Sequence, residues 1–81
     1  MTEVVLYGKA GCCLCDDARA VIAAVRERRQ FALTEVDVSL DPVLNARYGE
    51  RIPVIAVDGE EAFELGVSAA ELERVLGTVT P

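Results

Sequence analysis

Apolar residues form a short continuous run and then recur at helical spacing along this chain of 81 residues, and these two patterns predict its first elements. Val4 to Tyr7 is a continuous apolar run containing β-branched and aromatic residues, which predicts a strand covered on both faces at the centre of a sheet. From Cys13 to about Arg28, apolar residues recur at helical spacing, which predicts a helix with one buried stripe. The stripe residues are Leu14, Ala18, Val21, Ile22 and Val25.

The next stretch predicts an edge strand and a short helix. From Phe31 to Val38, apolar and polar residues alternate, which is typical of a strand with one face exposed to solvent. Asp41 followed by proline is a helix start, because aspartate caps the first amide groups and proline fits the first helical position. Gly49 is well suited to end that helix. Since a helix separates the first two strands, we expect those strands to be parallel.

A hairpin follows the short helix. The runs Pro53 to Val57 and Glu60 to Leu65 both favour strands, and Asp58-Gly59 lies between them. Asp-Gly between two strand-like runs is the strongest short-range hairpin signal, because both residues tolerate the positive φ of the turn. Proline is also acceptable at the first position of a strand.

A final helix completes the order of elements. Ser68 and Glu71 have the spacing of a capping box, and Gly77 is expected to end the helix. The order is therefore βαβαββα, which predicts an α/β fold with a four-stranded mixed sheet and helices on both faces. A chain of this length predicts a single domain over residues 1–81.

Composition narrows the classes of function. The net charge is −6, which argues against a nucleic-acid-binding surface. No apolar run reaches the ~20 residues that span a bilayer, and no secretion signal is present, so we expect a cytoplasmic location and no membrane association. The chain has three cysteines and no histidine. In a reducing compartment, such cysteines favour catalytic, redox-sensing or metal-binding roles over structural ones.

Cys12 and Cys15 lie three residues apart where the first strand gives way to the first helix. At this spacing the two Cα atoms are close enough for a disulfide, and the very short ring predicts a reversible bond. The unpaired amides and dipole at a helix N-terminus favour thiolate, which is the nucleophilic form. Cys15 shares the inward stripe, so we expect Cys12 to be the exposed member of the pair.

Other interpretations of the cysteines remain open at this point. Cys12 and Cys15 could be ordinary buried cysteines, since free cysteine behaves as a small hydrophobe. Three thiols without histidine fall short of the four ligands of a structural zinc site, so we predict no metal. Cys13 is interpreted first as a space-filling residue. Asp16 and Asp17 oppose thiolate formation.

The motifs resemble those of glutaredoxins, and the resemblance covers essentially the whole chain. The segments that carry it are Lys9-Ala10-Gly11-Cys12-Cys13-Leu14-Cys15, Arg51-Ile52-Pro53-Val54 and Leu65-Gly66-Val67-Ser68. The Gly-Cys-x-Leu-Cys-Asp form is similar to that of small glutaredoxin-like proteins. The resemblance implies a thioredoxin-like, glutaredoxin-type fold.

The resemblance also implies roles for individual residues. Cys12 would be the nucleophile and Cys15 the resolving thiol. Lys9 would favour thiolate and help to hold a glutathione carboxylate. Pro53 would be a cis-proline against the dithiol, and the Ile52 backbone would pair with a bound peptide-like thiol. At the start of the last helix, Ser68 would mark the docking site of the γ-glutamyl carboxylate.

These observations predict a glutaredoxin-like thiol-disulfide oxidoreductase without a metal or other resident cofactor. Its partners would be protein or small-molecule disulfides, with glutathione as a candidate co-substrate, and we expect a monomer. Two alternatives stay open. The first is a thioredoxin-fold binding module with little catalysis, and the second is an iron–sulfur or metal carrier that uses the cysteines.

Overall fold

A four-stranded mixed sheet forms the centre of the protein in the computed structural model, which describes residues 2–78. The strands are β1 (Glu3–Gly8), β2 (Ala32–Asp37), β3 (Val54–Val57) and β4 (Glu60–Glu64). Their order is β2-β1-β3-β4, with β1 parallel to β2 and antiparallel to β3, and with β3 antiparallel to β4. The predicted parallel pair, the hairpin and the edge position of β2 are therefore confirmed.

Three helices cover the sheet, and a short 3-10 turn at Val38–Leu40 follows β2. The helices are α1 (Cys13–Arg26), α2 (Pro42–Tyr48) and α3 (Ala69–Thr78). Side chains of α1 and α3 pack with Leu6 and Ile55, which are paired across β1 and β3 and so share one face of the sheet. Tyr48 of α2 packs with Val54 on the opposite face. Helices therefore lie on both faces of the sheet, as predicted.

The buried side chains form two clusters. The larger lies between the sheet and the helices α1 and α3, and its buried members are Val4, Leu6, Ala18, Ile22, Val25, Phe31, Ile55, Val57, Leu72 and Leu76. The smaller, which we call the dithiol cluster, contains Cys15, Val38, Tyr48, Ile52 and Val54, with Tyr7, Cys12 and Leu44 packed against it. The two candidate redox cysteines therefore meet the side chains that hold α2 on the sheet.

Local signals in the sequence appear as expected hydrogen bonds. The Asp41 carboxylate accepts from the amides of Val43 at 2.9 Å and Leu44 at 3.4 Å, which caps α2. At the turn between β3 and β4, Asp58 and Gly59 have φ values of 51° and 87°. Both values are positive, as the tight hairpin turn requires.

Several sequence-based predictions about burial and helix ends are wrong. Leu14 was expected in the buried stripe of α1 but is 49% exposed, because the larger cluster takes in α1 only from Ala18 onward and the first turn projects beyond it. The helix ends at Arg26, two residues earlier than expected. Gly77 lies inside α3 rather than ending it, since it lacks the left-handed φ of a terminating glycine.

The coverage of β1 was also overestimated. Val4 and Leu6 are buried on the face that meets α1 and α3, whereas Val5 and Tyr7 on the other face are half-buried. The short helix α2 covers only part of that second face.

Candidate functional site

Cys12 is the N-cap residue of α1. Gly11, with φ of 80°, turns the chain after β1 so that Cys12 enters the helix in an extended conformation. The Cys12 Sγ accepts a hydrogen bond from the backbone N–H of Cys15 at 3.3 Å. The sulfur takes the place that a serine or aspartate oxygen usually takes at a helix start. An amide of the first turn that has no partner within the helix therefore donates to the thiol.

These surroundings lower the pKa of Cys12. The largest cause is a hydrogen bond from the Cys15 thiol, and burial opposes it. The backbone amides of Cys15 and Leu14 and the positive charge of Lys9 lower the pKa further. Each of these groups stabilises the charged sulfur more than the neutral one. The arrangement therefore favours a thiolate on the half-exposed member of the pair.

Cys15 lies one turn deeper and is fully buried. Burial, followed by the hydrogen bond to Cys12, raises the pKa of Cys15 to about 11. Its sulfur rests against the end of β1, where a Cβ on Gly8 would lie only 2.9 Å from the Cys15 Sγ. The strand backbone thus approaches the inner thiol as closely as it does because residue 8 has no side chain.

The two thiols differ in exposure and in pKa. The outer sulfur is partly open to solvent and favours the nucleophilic form, whereas the inner sulfur stays protonated and out of reach of a large partner. As expected, Cys15 faces inward and Cys12 is the more exposed of the two. Cys13 between them is exposed.

An ion-pair chain balances the acidic residue that follows the inner cysteine. Arg19 pairs with the Asp16 carboxylate at 2.7 Å and with Glu35 on β2 at 2.5 Å. The positive charge of Arg19 also lowers the pKa of Cys15, although burial outweighs it. The repulsion that Asp16 would exert on a thiolate is therefore offset in part by its own partner.

The segment before β3 lies beside the cysteines. The Ile52–Pro53 peptide bond is cis, and both residues are buried. Ile52 belongs to the dithiol cluster together with Cys15, and Cys12 packs against it. The amide of Leu65 donates to the Pro53 carbonyl at 2.9 Å, which ties the loop before α3 to this segment. The structure thus brings Ile52 and Pro53 to the dithiol.

Ser68 starts α3 and is engaged in the expected capping box. The amide of Glu71 donates to the Ser68 hydroxyl at 3.2 Å, and the Ser68 amide donates to the Glu71 carboxylate at 3.1 Å. Lys9 is exposed after β1, close enough for its charge to act on Cys12. The expected part of Lys9 and Ser68 in glutathione binding stays a prediction.

Three features beside the site were not anticipated from the sequence. Gly8 ends β1 against the inner thiol, and the bridging position of Arg19 depends on a contact with Glu35 of β2. The third is a stack of Tyr7 on Tyr48, with ring centroids 4.3 Å apart, which packs on the dithiol cluster. Arg47 and Arg51 also lie over the Tyr48 ring, at 5.3 and 5.4 Å.

Within residues 2–78, no group of three or more cysteine, histidine or acidic side chains is arranged to hold a metal ion. In the same part of the chain, no helix combines the length and apolar character that crossing a bilayer requires.

A four-stranded sheet of this topology, with a cysteine pair at the first strand-to-helix junction beside a cis-proline, defines a thioredoxin-like protein. The family model described as "Glutaredoxin-like domain (DUF836)" matches residues 3–77. The chain therefore belongs to this glutaredoxin-like family.

Individual relatives agree with this assignment. An uncharacterized protein of Mycobacterium tuberculosis, Rv0508, is 31% identical over 64 residues, which is 73% of this chain and 66% of the relative. The match thus spans slightly less than two thirds of that relative. A structural genomics target from X. campestris, XcR50, has a TM-score of 0.81 and 27% identity, with 95% of this chain and 99% of that chain covered.

A thioredoxin is also among the similar structures. The desulfothioredoxin of Desulfovibrio vulgaris Hildenborough, in its reduced form, has a TM-score of 0.74 and 26% identity, covering 96% of this chain and 81% of that chain. Fold, family and cysteine pair together support a function of the thiol-redox type.

Proposed function

We propose that this protein is a thiol-disulfide oxidoreductase in which Cys12 attacks and Cys15 resolves. The observation that carries the proposal is the hydrogen bond from the Cys15 amide to the Cys12 Sγ, with the Cys15 thiol buried directly behind it. An amide and a second thiol aimed at one sulfur stabilise its thiolate, which is the attacking form.

The reaction is an exchange of disulfide bonds in two steps. The Cys12 thiolate attacks one sulfur of a partner disulfide, forms a mixed disulfide and releases the other partner sulfur as a thiolate, which takes up a proton. Cys15 then loses its proton to solvent and attacks the Cys12 Sγ, so that the second partner thiol leaves. The partner gains two electrons, and the protein ends with a Cys12–Cys15 disulfide that an external thiol must reduce.

Other residues complete the proposed site. The positive charge of Lys9 favours the thiolate of Cys12. The backbone of Ile52, held beside cis-Pro53, would pair with the partner as a short extended segment. We place the reaction in the cytoplasm with the protein as a monomer and without a resident cofactor. The expected partners are protein or small-molecule disulfides.

Single cysteine variants test the proposal. The reduced protein is mixed with hydroxyethyl disulfide, and mixed-disulfide formation is followed by mass spectrometry. Cys12→Ser should abolish the reaction, whereas Cys15→Ser should accumulate the mixed disulfide on Cys12. Cys13→Ser is the matched control, since it removes an adjacent exposed thiol, and it should react like the unmodified protein. Full reduction of the disulfide by Cys12→Ser would refute the role of Cys12, whereas failure of the protein with all three cysteines to react would refute the proposal and favour the binding-module alternative.

A further inference from the structure

The segment between β2 and α2 presents three apolar side chains to solvent. Leu40 is 82% exposed and Val43 is 72% exposed, and Pro42 between them is exposed as well. Leu40 precedes the N-cap of α2, where an apolar residue usually packs against the fourth residue of the helix. That fourth residue is Asn45, which offers no apolar partner. We call Leu40, Pro42 and Val43 the α2 patch.

The α2 patch lies in a segment that the dithiol cluster holds at both ends. On one side of the patch, Val38 is a fully buried member of that cluster together with Cys15. On the other side, Leu44 packs against the same cluster. The segment also leaves the sheet at the end from which Cys12 follows, because β1 and β2 are parallel and are paired to their last residues. The patch is therefore on the same side of the molecule as the reactive thiol.

The charges that flank the α2 patch along the chain are negative. Asp37 and Asp41 lie on either side of Leu40, and residues 30–46 contain no lysine or arginine. The Asp37 carboxylate accepts from the Ser39 amide at 2.9 Å, and the Asp41 carboxylate caps α2. Within residues 2–78 neither carboxylate forms an ion pair, although the positive charge of Lys9 lowers the pKa of Asp37. The backbone thus holds two negative charges beside the exposed apolar side chains.

We infer that the α2 patch is a docking surface for a protein partner that presents apolar side chains between lysine or arginine residues. A second copy of this chain is disfavoured there, because pairing about a two-fold axis would bring Asp37 and Asp41 of both copies together in a protein of net charge −6. A basic partner would bury the same apolar surface and gain charge attraction. As a statement about substrates, the inference rests on the proposed exchange reaction and assigns basic protein disulfides to it.

Peptide disulfides that differ in their docking segment test the inference. In each peptide a cysteine carries a hydroxyethyl disulfide, and a flexible Gly-Ser linker of about six residues, spanning roughly 12–15 Å, joins it to the docking segment. One segment alternates leucine with lysine, the second alternates leucine with glutamate, and the third alternates serine with lysine. The rate at which the reduced protein reacts with each peptide is compared with its rate towards hydroxyethyl disulfide, which carries no docking segment.

The apolar side chains are tested first. The leucine–lysine peptide should react about fivefold faster than either of the other two peptides, because docking raises the local concentration of its disulfide at Cys12. Leu40→Ser combined with Val43→Ser should remove most of this advantage. Both side chains are exposed, so their replacement should not unfold the protein, and the rate towards hydroxyethyl disulfide should stay the same.

The flanking charges are tested separately. Asp37→Asn combined with Asp41→Asn removes both charges, while each asparagine keeps an oxygen that can accept from the backbone. This variant should lower the preference for lysine over glutamate about two- to fivefold at low ionic strength, since exposed charge pairs contribute effects of that size. Glu3→Gln combined with Glu60→Gln is the matched control, because it removes two charges at the opposite end of the sheet, and it should leave the preference unchanged.

Binding without reaction supplies an independent readout. Fluorescence anisotropy of a labelled leucine–lysine peptide with serine in place of its cysteine should rank the variants in the same order as the rates do. Equal rates for the three peptides, or an advantage that survives both pairs of substitutions, would overturn the inference and leave the exchange reaction standing. Sedimentation that shows a dimer dissociated by Leu40→Ser would also overturn it, because a second copy would then cover the patch. If hydroxyethyl disulfide fails to react through Cys12, the proposed function is refuted, and the anisotropy then decides whether the patch binds basic partners.

Discussion

Replacing Gly8 with alanine would test how tightly the end of β1 is fitted against the inner thiol. The added Cβ would lie 2.9 Å from the Cys15 Sγ and 3.3 Å from the Cys15 Cβ. The shorter distance is about 0.6 Å inside the ~3.5 Å lower limit of good contact between buried atoms. Since Cys15 is fully buried, either β1 or the first turn of α1 must move.

Overpacking of this kind costs about 1–3 kcal/mol of unfolding free energy. In a domain of this size, each 1 kcal/mol lowers the melting temperature by about 4–8 °C. The assay is thermal unfolding followed by circular dichroism, under reducing conditions. We expect Gly8→Ala to lower the melting temperature and Gly77→Ala to leave it unchanged or raise it, because among residues 2–78 the nearest contact of a Cβ on Gly77 is the Arg29 side chain at 3.8 Å.

A double-mutant cycle assigns the cost to the sulfur. In a Cys15→Ala background the Sγ is gone, so only the milder contact with Cβ remains and Gly8→Ala should cost less. We expect a coupling energy of about 1 kcal/mol or more between the two sites. If Gly8→Ala is equally destabilising with and without the Cys15 sulfur, the close fit between strand and thiol is not the cause, and the reasoning fails.

Three further predictions concern the thiolate, a helix cap and a surface ion pair. The rate at which iodoacetamide alkylates Cys12 should rise at a lower pH than it does for an ordinary thiol, because the pKa of Cys12 is lowered. Cys15→Ala should move the midpoint of this pH profile upward, because it removes the hydrogen bond from the Cys15 thiol, which is the largest cause of the lowered pKa. An unmoved midpoint would contradict this assignment. Asp41→Ala should cost about 1 kcal/mol of unfolding free energy in urea, whereas Asp41→Asn should cost little, since asparagine also caps helices. Glu61→Gln should shift the midpoint of urea unfolding less than Asp41→Ala does, although Glu61 pairs with Arg51 at 2.8 Å, because each of these side chains is 36% exposed. A larger shift that persists in high salt would contradict this expectation.

The parts of the fold that the sequence predicts correctly depend on neighbouring residues. Asp58-Gly59 specifies the hairpin because the turn needs positive φ at both positions, and Asp41 caps α2 through amides two and three residues ahead. The alternation that placed β2 at an edge is likewise a property of one short segment. For the site, helical spacing alone predicts that Cys15 faces the core and that Cys12 lies at the N-terminus of α1.

The parts that were missed depend on contacts between distant segments. Leu14 has the spacing of the buried stripe, yet the larger cluster takes in α1 only from Ala18 onward and Leu14 projects beyond it. The fit of Gly8 against the inner sulfur and the bridge from Arg19 to Glu35 arise only when α1 lies on the sheet. The cis form of the Ile52–Pro53 bond was expected from the family resemblance rather than from spacing, because most bonds before proline are trans.

In the proposed exchange reaction, the difference in depth between the two sulfurs would control how long a partner stays attached to the protein. A partner joined to Cys12 would face solvent, but its release would wait for Cys15, which is fully buried and would first have to lose its proton. The rate of partner release would therefore depend on how tightly β1 and α1 pack around Cys15. A variant without the Cys15 sulfur would keep its partner attached as a mixed disulfide, and the proteins trapped in this way would identify the natural substrates.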